Sequence, residues 1–415
     1  LEEKRNEAVS RMEQLEMRWA DEKKRVEEIR SYREQCEEAS DDEREGVLSK
    51  LKEAVAELEK TQGDEPLVSV CVDGQAVAKV VASWTGVPVG KMVRDEMQAL
   101  LSIRERLAER VVGQDHALEI IANRLRTSRY NLGNPDQPIG NFLLVGPSGV
   151  GKTETALALS DVLFGGEKNI ITLNMSEFKE QHSSARLIGP PPGYAGFGKG
   201  GLLTEKVRHR PYSVVLLDEI EKAHYDVREF FQQVFDKGFL ADTEGHIANF
   251  RNCVIIMTAN IGDETILDHC LAEDEEGGLS LKETMPDSQE LIKALQPELL
   301  RTFSSSLLAR MTVVPYYPLG EDVLRGIVEL KLKQVADRLH ANHKIKFVYD
   351  EEVMDQINRR CTEVQSGARN VNQIISGTVL PRLTSLMIER LAGGTETREI
   401  ALTADTTGEF VFDPA

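Results

Sequence analysis

The stretch Asn141-Phe-Leu-Leu-Val-Gly-Pro-Ser-Gly-Val-Gly-Lys-Thr153 joins a short apolar run to a glycine-rich loop. Residues 142–145 have the aliphatic pattern of a buried parallel strand, and a helical pattern follows at 154–164. The spacing between them, Gly-x-x-x-x-Gly-Lys-Thr, is that of a phosphate-binding loop. Glycines let several N–H groups face one anion, and the N-terminus of the next helix adds partial positive charge. The stretch therefore predicts a strand, a phosphate site and a helix in succession.

Side chains of this loop add two specific contacts to the predicted phosphate site. The Lys152 ammonium can reach the β and γ phosphates of a nucleotide, and the Thr153 hydroxyl can ligate Mg²⁺. We therefore expect ATP and Mg²⁺ as cofactors. The predicted nucleotide-binding residues of the loop are Gly146, Pro147, Ser148, Gly149, Val150, Gly151, Lys152, Thr153 and Glu154.

Three further strand candidates follow, at 170–174, 214–217 and 253–258, and the second of them is a purely aliphatic run suited to a sheet buried on both faces. Helical patterns lie between them, which predicts an α/β fold with a parallel sheet flanked by helices. From residue 321 onward, long helices at 321–342 and 370–391 predict a small α+β domain. The other elements expected in this domain are a helix at 350–361 and strands at 345–348, 399–403 and 409–412.

Polar residues follow two of the predicted strands, at the sheet edge where parallel α/β folds bind their ligands. Asp218 comes directly after 214–217 and can hold Mg²⁺, directly or through water. Glu219 points to the other side of the strand end and can polarise a water for attack on the γ phosphate. Asn260 follows 253–258 and can orient the same water, because the expected strand order places it beside Asp218.

The composition excludes several classes of partner. The net charge of −19 argues against nonspecific affinity for nucleic acid or anionic membranes, and no 18-residue apolar run is present to span a bilayer. The cysteines are scattered and no signal peptide pattern occurs, which favours reduced thiols and a cytoplasmic location. With 415 residues, the chain is too long for one compact core and should form two or three domains.

Residues 1–62 are dense in Glu, Lys and Arg, with apolar residues recurring at helical spacing on both sides of an acidic break at 37–45. Two antiparallel helices forming a coiled-coil hairpin explain this pattern. A single charged helical arm explains it equally well, because one helix face alone does not identify its partner.

The phosphate loop, Leu216-Leu-Asp-Glu-Ile-Glu-Lys-Ala-His224 and Thr258-Ala-Asn260 together resemble the second ATPase module of Clp-type AAA+ protein unfoldases. The resemblance runs from about residue 80 to the end of the chain. It implies a phosphate-loop ATPase of the AAA+ fold, assembled as a ring that is expected to be a hexamer. The implied segments are the end of a middle domain at 1–62, a linker at 63–95, a large ATPase domain at 96–315 and a small C-terminal domain at 316–415.

The same resemblance assigns residues outside the central loop. It implies that Val111 and Val112 lie on the adenine side of the nucleotide, and that Ala368 and Arg369 belong to a sensor motif in which Arg369 approaches the phosphates of its own subunit. It also implies that Arg310 is an arginine finger directed at the neighbouring subunit's nucleotide. By spacing alone, a surface charge at Arg310 and a helix-capping role at Arg369 are equally good interpretations.

The segment Gly193-Tyr-Ala-Gly-Phe-Gly198 has the composition of a loop with two aromatic residues. In the family this is the pore loop, so the resemblance implies that Tyr194, Ala195 and Phe197 grip a polypeptide in the ring channel. An aromatic side chain offers large, sequence-tolerant contact area for this purpose. Ala195 departs from the usual valine, which affects the expected grip. The segment 243–246 resembles the second pore loop with lower specificity.

Two branches of the family resemble different parts of the chain. Residues 170–180 and 311–319 resemble the ClpV ATPases of bacterial type VI secretion, whereas 186–189 resembles the ClpB disaggregases. The expected function is ATP-driven threading of a protein substrate, for disassembly of the contracted secretion sheath. The alternatives are a ClpB-like disaggregase and a nucleotide-gated assembly module that works through its coiled coil.

A peptidase partner is not expected. Peptidase-docking members of the family carry an Ile-Gly-Leu or Ile-Gly-Phe loop between a first sensor motif, here Thr258-Ala-Asn260, and the arginine finger. The Ile261-Gly262 pair of this chain is followed by Asp263 and adjoins the sensor.

Overall fold

The computed structural model separates into two compact units, residues 1–97 and 98–415. Most of the linker predicted at 63–95 lies outside the described residues. No helix among the described residues is long and apolar enough to cross a membrane. The residues that the structure describes are 2–38, 41–62, 67–68, 70–72, 77, 80, 101–129, 134–190, 192–194, 198, 200–273, 279–282, 284–361, 367–392, 398–404 and 409–414.

The first unit contains two helices, α1 (Glu2–Glu38) and α2 (Asp41–Gln62), which pack antiparallel as a hairpin. Val26 and Ile29 of α1 pack against Leu58 of α2 in a small buried core. Arg18 near the middle of α1 donates to the carbonyl oxygen of Gln62 at 2.7 Å, which fixes the antiparallel direction. Within the described residues, these contacts favour the hairpin interpretation over the isolated arm.

The second unit is built around a five-stranded parallel sheet with the order β2-β3-β6-β1-β9. The strands of the large domain are β1 (Gly140–Val145), β2 (Ile170–Asn174), β3 (Val214–Asp218), β4 (Phe239–Ala241), β5 (Ile247–Asn249), β6 (Val254–Ala259), β7 (Leu271–Glu273), β8 (Leu279–Leu281) and β9 (Thr312–Pro315). Its helices are α3 (Ile103–Ala108), α4 (Asp115–Arg129), α5 (Lys152–Phe164), α6 (Ser184–Ile188), α7 (Leu202–His209), α8 (Tyr225–Lys237), α9 (Asp263–Cys270), α10 (Ser288–Thr302) and α11 (Ser305–Leu308).

The central strands are buried on both faces, as their aliphatic runs predict. Successive residues of a strand point to opposite faces, so Phe142 and Leu144 enter one hydrophobic cluster while Leu143 and Val145 enter another. The same alternation occurs in β3 and β6. The two clusters hold the sheet between layers of helices, and this arrangement brings the carboxyl ends of β1, β3 and β6 to one edge.

The fifth strand, β9, was not predicted. Its four residues carry too little periodicity to indicate a strand. β9 lies at the edge of the sheet beside β1, with Phe142 opposite Thr312 and Val145 opposite Pro315. Proline is tolerated at this position because an edge strand pairs on one side only.

The small domain follows β9. It contains α12 (Glu321–His343), β10 (Lys346–Tyr349), α13 (Glu351–Arg360), α14 (Ala368–Ile374), a π-helical turn (Ile375–Val379), α15 (Leu380–Ala392), β11 (Glu399–Ala404) and β12 (Phe410–Pro414). β10 pairs in parallel with β11, and β12 pairs antiparallel to it. The expected α+β domain is thus present.

The helix predicted at 370–391 is interrupted by the π-helical turn. The N–H of Leu380 bonds to the carbonyl of Ile375, five residues back. Pro381 follows, and it has no N–H with which to continue an α-helical ladder. The wider turn lets the helix continue past the proline.

Candidate functional site

A cavity of about 210 Å³ lies where β1, β3 and β6 end, between the large domain and the small domain. Most of the predicted nucleotide residues line it. They are Val111, Val112, Ser148, Gly149, Val150, Gly151, Lys152, Thr153, Glu154, Asp218, Glu219, Asn260, Ala368 and Arg369. The structure therefore brings together residues that are more than 250 positions apart in the chain.

The loop after β1 is shaped by close backbone packing at its first glycine. Gly146 has a φ of 152°, and a Cβ atom there would lie 2.7 Å from the carbonyl oxygen of Tyr316. Only glycine fits this position without displacing the backbone that follows β9. Gly146 and Pro147 are not among the residues lining the cavity, but their carbonyl oxygens face Lys152.

Lys152 is the first residue of α5 and is only 7% exposed. Its ammonium donates to the carbonyl oxygens of Gly146 and Pro147, the latter at 2.8 Å, and to Oδ1 of Asn260 at 2.8 Å. Three acceptors match its three protons. Burial lowers the pKa of Lys152 to about 8, although the charges of Asp263 and Glu221 act against this shift.

The two acids at the end of β3 are held by Thr258, a buried residue of β6. The Thr258 hydroxyl donates to Oδ1 of Asp218 at 2.6 Å and accepts from the N–H of Glu219 at 3.0 Å. Glu219 has a φ of 57°, and its carboxylate lies 2.8 Å from the ammonium of Lys222. Thr258 belongs to the Thr-Ala-Asn stretch, but the sequence alone assigned it no contact.

Two further carboxyl groups lie close to these residues. Oε1 of Glu221 accepts from the N–H of Asn260 at 3.3 Å, and burial raises the pKa of Glu221. Burial also raises the pKa of Asp263 to about 6, opposed by the charge of Lys152. Within the described part of the chain, Glu221 Oε2 and Asp263 Oδ1 are buried without a hydrogen-bond partner. The sequence pattern alone indicates no role for either acid.

The small domain closes the cavity by direct contact with the phosphate loop. Gly367 has a φ of 50°, and a Cβ atom there would lie 2.9 Å from the carbonyl oxygen of Gly149. The next residue, Ala368, donates its N–H to the same oxygen at 3.0 Å. This contact places Arg369 on the cavity wall.

Helix α12 also lines the cavity, through Ile327, Leu330 and Lys331. The sequence does not predict that these residues line the cavity, because helical periodicity identifies a buried face but not the element that it faces. Arg110 was missed as well, although it directly precedes Val111. Its guanidinium bonds to Oε1 of Glu154 at 2.7 Å and so braces the start of α5.

Arg310 lies apart from this group and is absent from the described cavity lining. Its guanidinium pairs with Oδ1 of Asp236 in α8 at 2.5 Å and bonds to the hydroxyl of Ser306 at 2.8 Å. The structure of a single chain thus brings Arg369, but not Arg310, to the cavity.

The predicted pore loop is described only in part. Tyr194 is 69% exposed, whereas Ala195 and Phe197 lie outside the described residues. The loop base is tied to the β4–β5 hairpin, because Thr243 donates its N–H to the carbonyl of Ile188 at 3.1 Å. The two predicted pore loops are therefore neighbours in the fold.

The cavity has the donors that a nucleotide with Mg²⁺ requires. Thr153 and Asp218 offer a hydroxyl and a carboxylate, both oxygen ligands of the type that Mg²⁺ prefers. The Ser148 hydroxyl is buried and has no partner among the described residues, so it is available to an additional group. Backbone N–H groups at the start of α5 favour an anion.

Comparison with known proteins places this fold and site in a family. Residues 137–314 match the AAA domain (Cdc48 subfamily), and residues 319–399 match the C-terminal, D2-small domain of ClpB protein. The chain belongs to the AAA+ ATPases. Within that class it belongs to the Clp-type unfoldases and disaggregases, as the sequence resemblance predicted.

Two curated relatives represent the two predicted branches. The chain is 46% identical to the AAA+ ATPase ClpV1 of Pseudomonas aeruginosa, in a match that covers 92% of this chain and 44% of that protein. It is 42% identical to the chaperone protein ClpB of Yersinia enterocolitica, with 90% of this chain and 42% of that protein covered. Of these two, the ClpV ATPase is the more similar, as predicted. The chain spans less than half the length of either relative.

Among solved structures, a closed-state reconstruction of Hsp104 with ATPγS and FITC casein is similar to this chain. The TM-score is 0.68 at 27% identity, over 89% of this chain and 60% of that one. The AAA+ fold predicted from the sequence is confirmed by this likeness together with the five-stranded parallel sheet.

Proposed function

We propose that the chain binds ATP with Mg²⁺ in the cavity and hydrolyses it. The observation that carries the proposal is the convergence of the phosphate loop, Asp218, Glu219 and Arg369 around one cavity of about 210 Å³. Lys152 and the loop N–H groups bind the phosphates, and Thr153 and Asp218 hold the metal. When bound, Mg²⁺ neutralises charge on the phosphates. The apolar side chains of Val111 and Val112 lie on the adenine side.

In this proposal each of the residues around the cavity has a separate role in hydrolysis. Glu219 takes a proton from the attacking water, and Asn260 orients that water. Asn260 bonds to Lys152, and a nucleotide phosphate that attracts the ammonium frees the Asn260 amide for the water. Arg369 acts on the nucleotide of its own subunit, since it lines that cavity. Arg310 acts on the nucleotide of the next subunit, which is supported by its position outside its own cavity.

We further propose that the chain works as part of a ring, expected to be a hexamer, that threads a polypeptide past Tyr194. The exposure of Tyr194 supports this role, since a gripping aromatic must reach the substrate. The similarity to ClpV1 supports disassembly of the contracted type VI secretion sheath as the use of this activity. We propose large and small ATPase domains at 96–315 and 316–415.

A second candidate function uses the hairpin as the working surface. Met12, Met17 and Trp19 of α1 are exposed apolar side chains, which favour contact with another protein. In this alternative, nucleotide hydrolysis gates assembly rather than threading. A ClpB-like disaggregase is the remaining alternative and shares the threading mechanism.

Tyr194→Ala separates threading from assembly. We expect the variant to keep ATP turnover within about threefold of the parent, because Tyr194 lies outside the cavity lining. Its affinity for FITC-labelled casein should fall by about tenfold or more, which is the scale of a buried aromatic contact. Fluorescence anisotropy in ATPγS measures the affinity. Tyr225→Ala, at another exposed tyrosine in α8, is the matched control and should bind like the parent.

The opposite outcome supports the assembly function. If Tyr194→Ala binds casein like the parent while Trp19→Ala abolishes assembly in light scattering, then the hairpin is the working surface and the threading proposal is wrong.

A further inference from the structure

One hydroxyl joins the two acids that the proposed reaction needs. The Thr258 side chain lies at the end of β6, and the residue is 3% exposed. It donates to Oδ1 of Asp218 at 2.6 Å and accepts from the N–H of Glu219 at 3.0 Å. A hydroxyl has one proton to donate, so the donation to Asp218 leaves its lone pairs to accept from Glu219.

The bond to Glu219 replaces a missing sheet contact. The parallel pairing of β3 with β6 ends at Leu217 opposite Met257, and beyond it the N–H of Glu219 bonds to the Thr258 hydroxyl rather than to a β6 carbonyl. Its φ of 57° is left-handed, which is unfavourable for a residue with a side chain. The buried hydroxyl supplies the acceptor that this turn requires, and it thereby fixes where the Glu219 side chain begins.

The bond to Asp218 acts on the other acid. It engages one carboxylate oxygen, Oδ1, and restricts rotation of the group. The Glu219 carboxylate is held separately, by the ammonium of Lys222 at 2.8 Å. Among the residues that the structure describes, Thr258 is thus the side chain that hydrogen-bonds both to the proposed metal-binding acid and to the backbone of the proposed base.

We propose that Thr258 is a positioning residue that sets Asp218 and Glu219 together, so that metal binding and water activation depend on one hydroxyl. The proposal rests on the function proposed above for the cavity. It predicts that removal of the hydroxyl impairs both magnesium affinity and turnover, while nucleotide binding without metal is preserved, because the phosphate loop itself is untouched.

The test compares two substitutions of Thr258 in the 415-residue chain. Thr258→Val keeps the β-branched shape and removes the hydroxyl, whereas Thr258→Ser keeps the hydroxyl and removes the methyl group. Thr204→Val is the matched control, since it deletes another buried threonine hydroxyl, in α7. Each protein is measured for ATP turnover, for the Mg²⁺ concentration that half-saturates nucleotide binding, and for affinity toward fluorescent ADP in EDTA. Circular dichroism checks folding.

For Thr258→Val we expect kcat to fall by about tenfold or more and the Mg²⁺ midpoint to rise severalfold, the scale of one lost hydrogen bond to a charged group. ADP affinity in EDTA should stay within about twofold. Thr258→Ser should stay within about threefold of the parent in every measurement, and Thr204→Val should match the parent.

If Thr258→Val has the same turnover and Mg²⁺ midpoint as the parent, the positioning role is wrong. The role is also wrong if Thr258→Ser loses as much turnover as Thr258→Val, because the effect would then come from packing. If the unmutated chain binds nucleotide but does not hydrolyse ATP, the Mg²⁺ midpoint becomes the deciding measurement. A parent that binds no nucleotide contradicts the proposed function itself, which is a different result.

Discussion

Lys152 illustrates how a buried charge is prepared for a ligand. Its ammonium is surrounded by two backbone carbonyls and the Asn260 amide oxygen, which are all neutral acceptors. Neutral acceptors compensate desolvation only partly, so the pKa of the ammonium is lowered to about 8. A phosphate anion would stabilise the charged form far better. The side chain should therefore exchange its present partners for the nucleotide and take up a proton above pH 8.

We predict that the affinity for ADP falls as pH rises above 8. We also predict that Lys152→Ala weakens ADP binding by about 10- to 100-fold, which is the scale of one or two lost charged hydrogen bonds. Below the pKa the free protein already carries the charge; above it, binding must include protonation, which costs up to about tenfold in affinity per pH unit. Calorimetric titration from pH 7 to pH 9.5 measures both effects.

Lys152→Arg is the control for the pH effect, because a guanidinium stays charged throughout this range. Its affinity should be lower than the parent's but independent of pH. Unchanged affinity in Lys152→Ala would contradict the assignment of the phosphate loop.

At the scale of elements, the segment between β9 and α12 is fastened to the nucleotide side of the large domain. Tyr316 is fully buried, and its hydroxyl donates to Oγ1 of Thr155 in α5 at 2.8 Å. Gln114 exchanges two hydrogen bonds with the backbone of Tyr317, at 2.9 and 3.1 Å. His116 stacks on the Tyr317 ring with centroids 3.8 Å apart. These contacts link α5 and the start of α4 to the segment that leads to the small domain.

A double-mutant cycle tests this fastening. Tyr316→Phe removes the donor of this hydrogen bond and should lower the unfolding free energy by about 0.5–1.5 kcal/mol. Thr155→Val leaves the Tyr316 hydroxyl buried and unpaired, so it should lower the unfolding free energy by about 1–3 kcal/mol. The double variant should be more stable than the sum of the two losses predicts, by at least about 0.5 kcal/mol. Urea unfolding followed by circular dichroism provides the values. Additive losses would mean that the two hydroxyls are not coupled.

Elements with strong periodicity were predictable from the sequence. The runs at 142–145, 170–174 and 214–217 became strands with nearly the expected bounds, because aliphatic runs between helical patterns fit few other structures. β9 and the π-helical turn were not predictable in this way. A four-residue edge strand is defined by its neighbour β1, and the turn is defined by a local response to Pro381.

The candidate site was predictable where one strand end or one loop supplies it. Asp218 ends β3, Glu219 directly follows it and Asn260 directly follows β6, and the sheet order brings the three together. The contributions of α12 and the double role of Thr258 depend on how separate elements pack, which a single sequence does not specify. The contact between Gly367 and Gly149 likewise joins segments that only the folded chain brings together.

At the scale of the whole molecule, the proposed role of Arg310 in the next subunit requires that one chain alone does not contain a complete site. Its guanidinium is held by Asp236 and Ser306, outside the cavity of its own chain. An arginine finger accelerates phosphoryl transfer by about 10³–10⁵-fold where it has been tested in other systems. Arg310→Ala should therefore bind ATP and hydrolyse it poorly. Glu219→Gln should also bind ATP, with turnover reduced by about 10²-fold or more.

Phosphate release from mixed variants tests most directly the central claim, that ATP is hydrolysed at a site shared between subunits. Each variant is nearly inactive alone. In a mixture of Arg310→Ala and Glu219→Gln chains, an Arg310→Ala subunit that receives Arg310 from a Glu219→Gln neighbour has one complete site. Turnover should therefore rise above the sum of the two separate proteins, with labelled subunits confirming mixed assembly. The matched mixture of Arg369→Ala and Glu219→Gln should show no rise, because both defects act within their own cavity. Recovery in the Arg369 mixture and none in the Arg310 mixture would contradict the account.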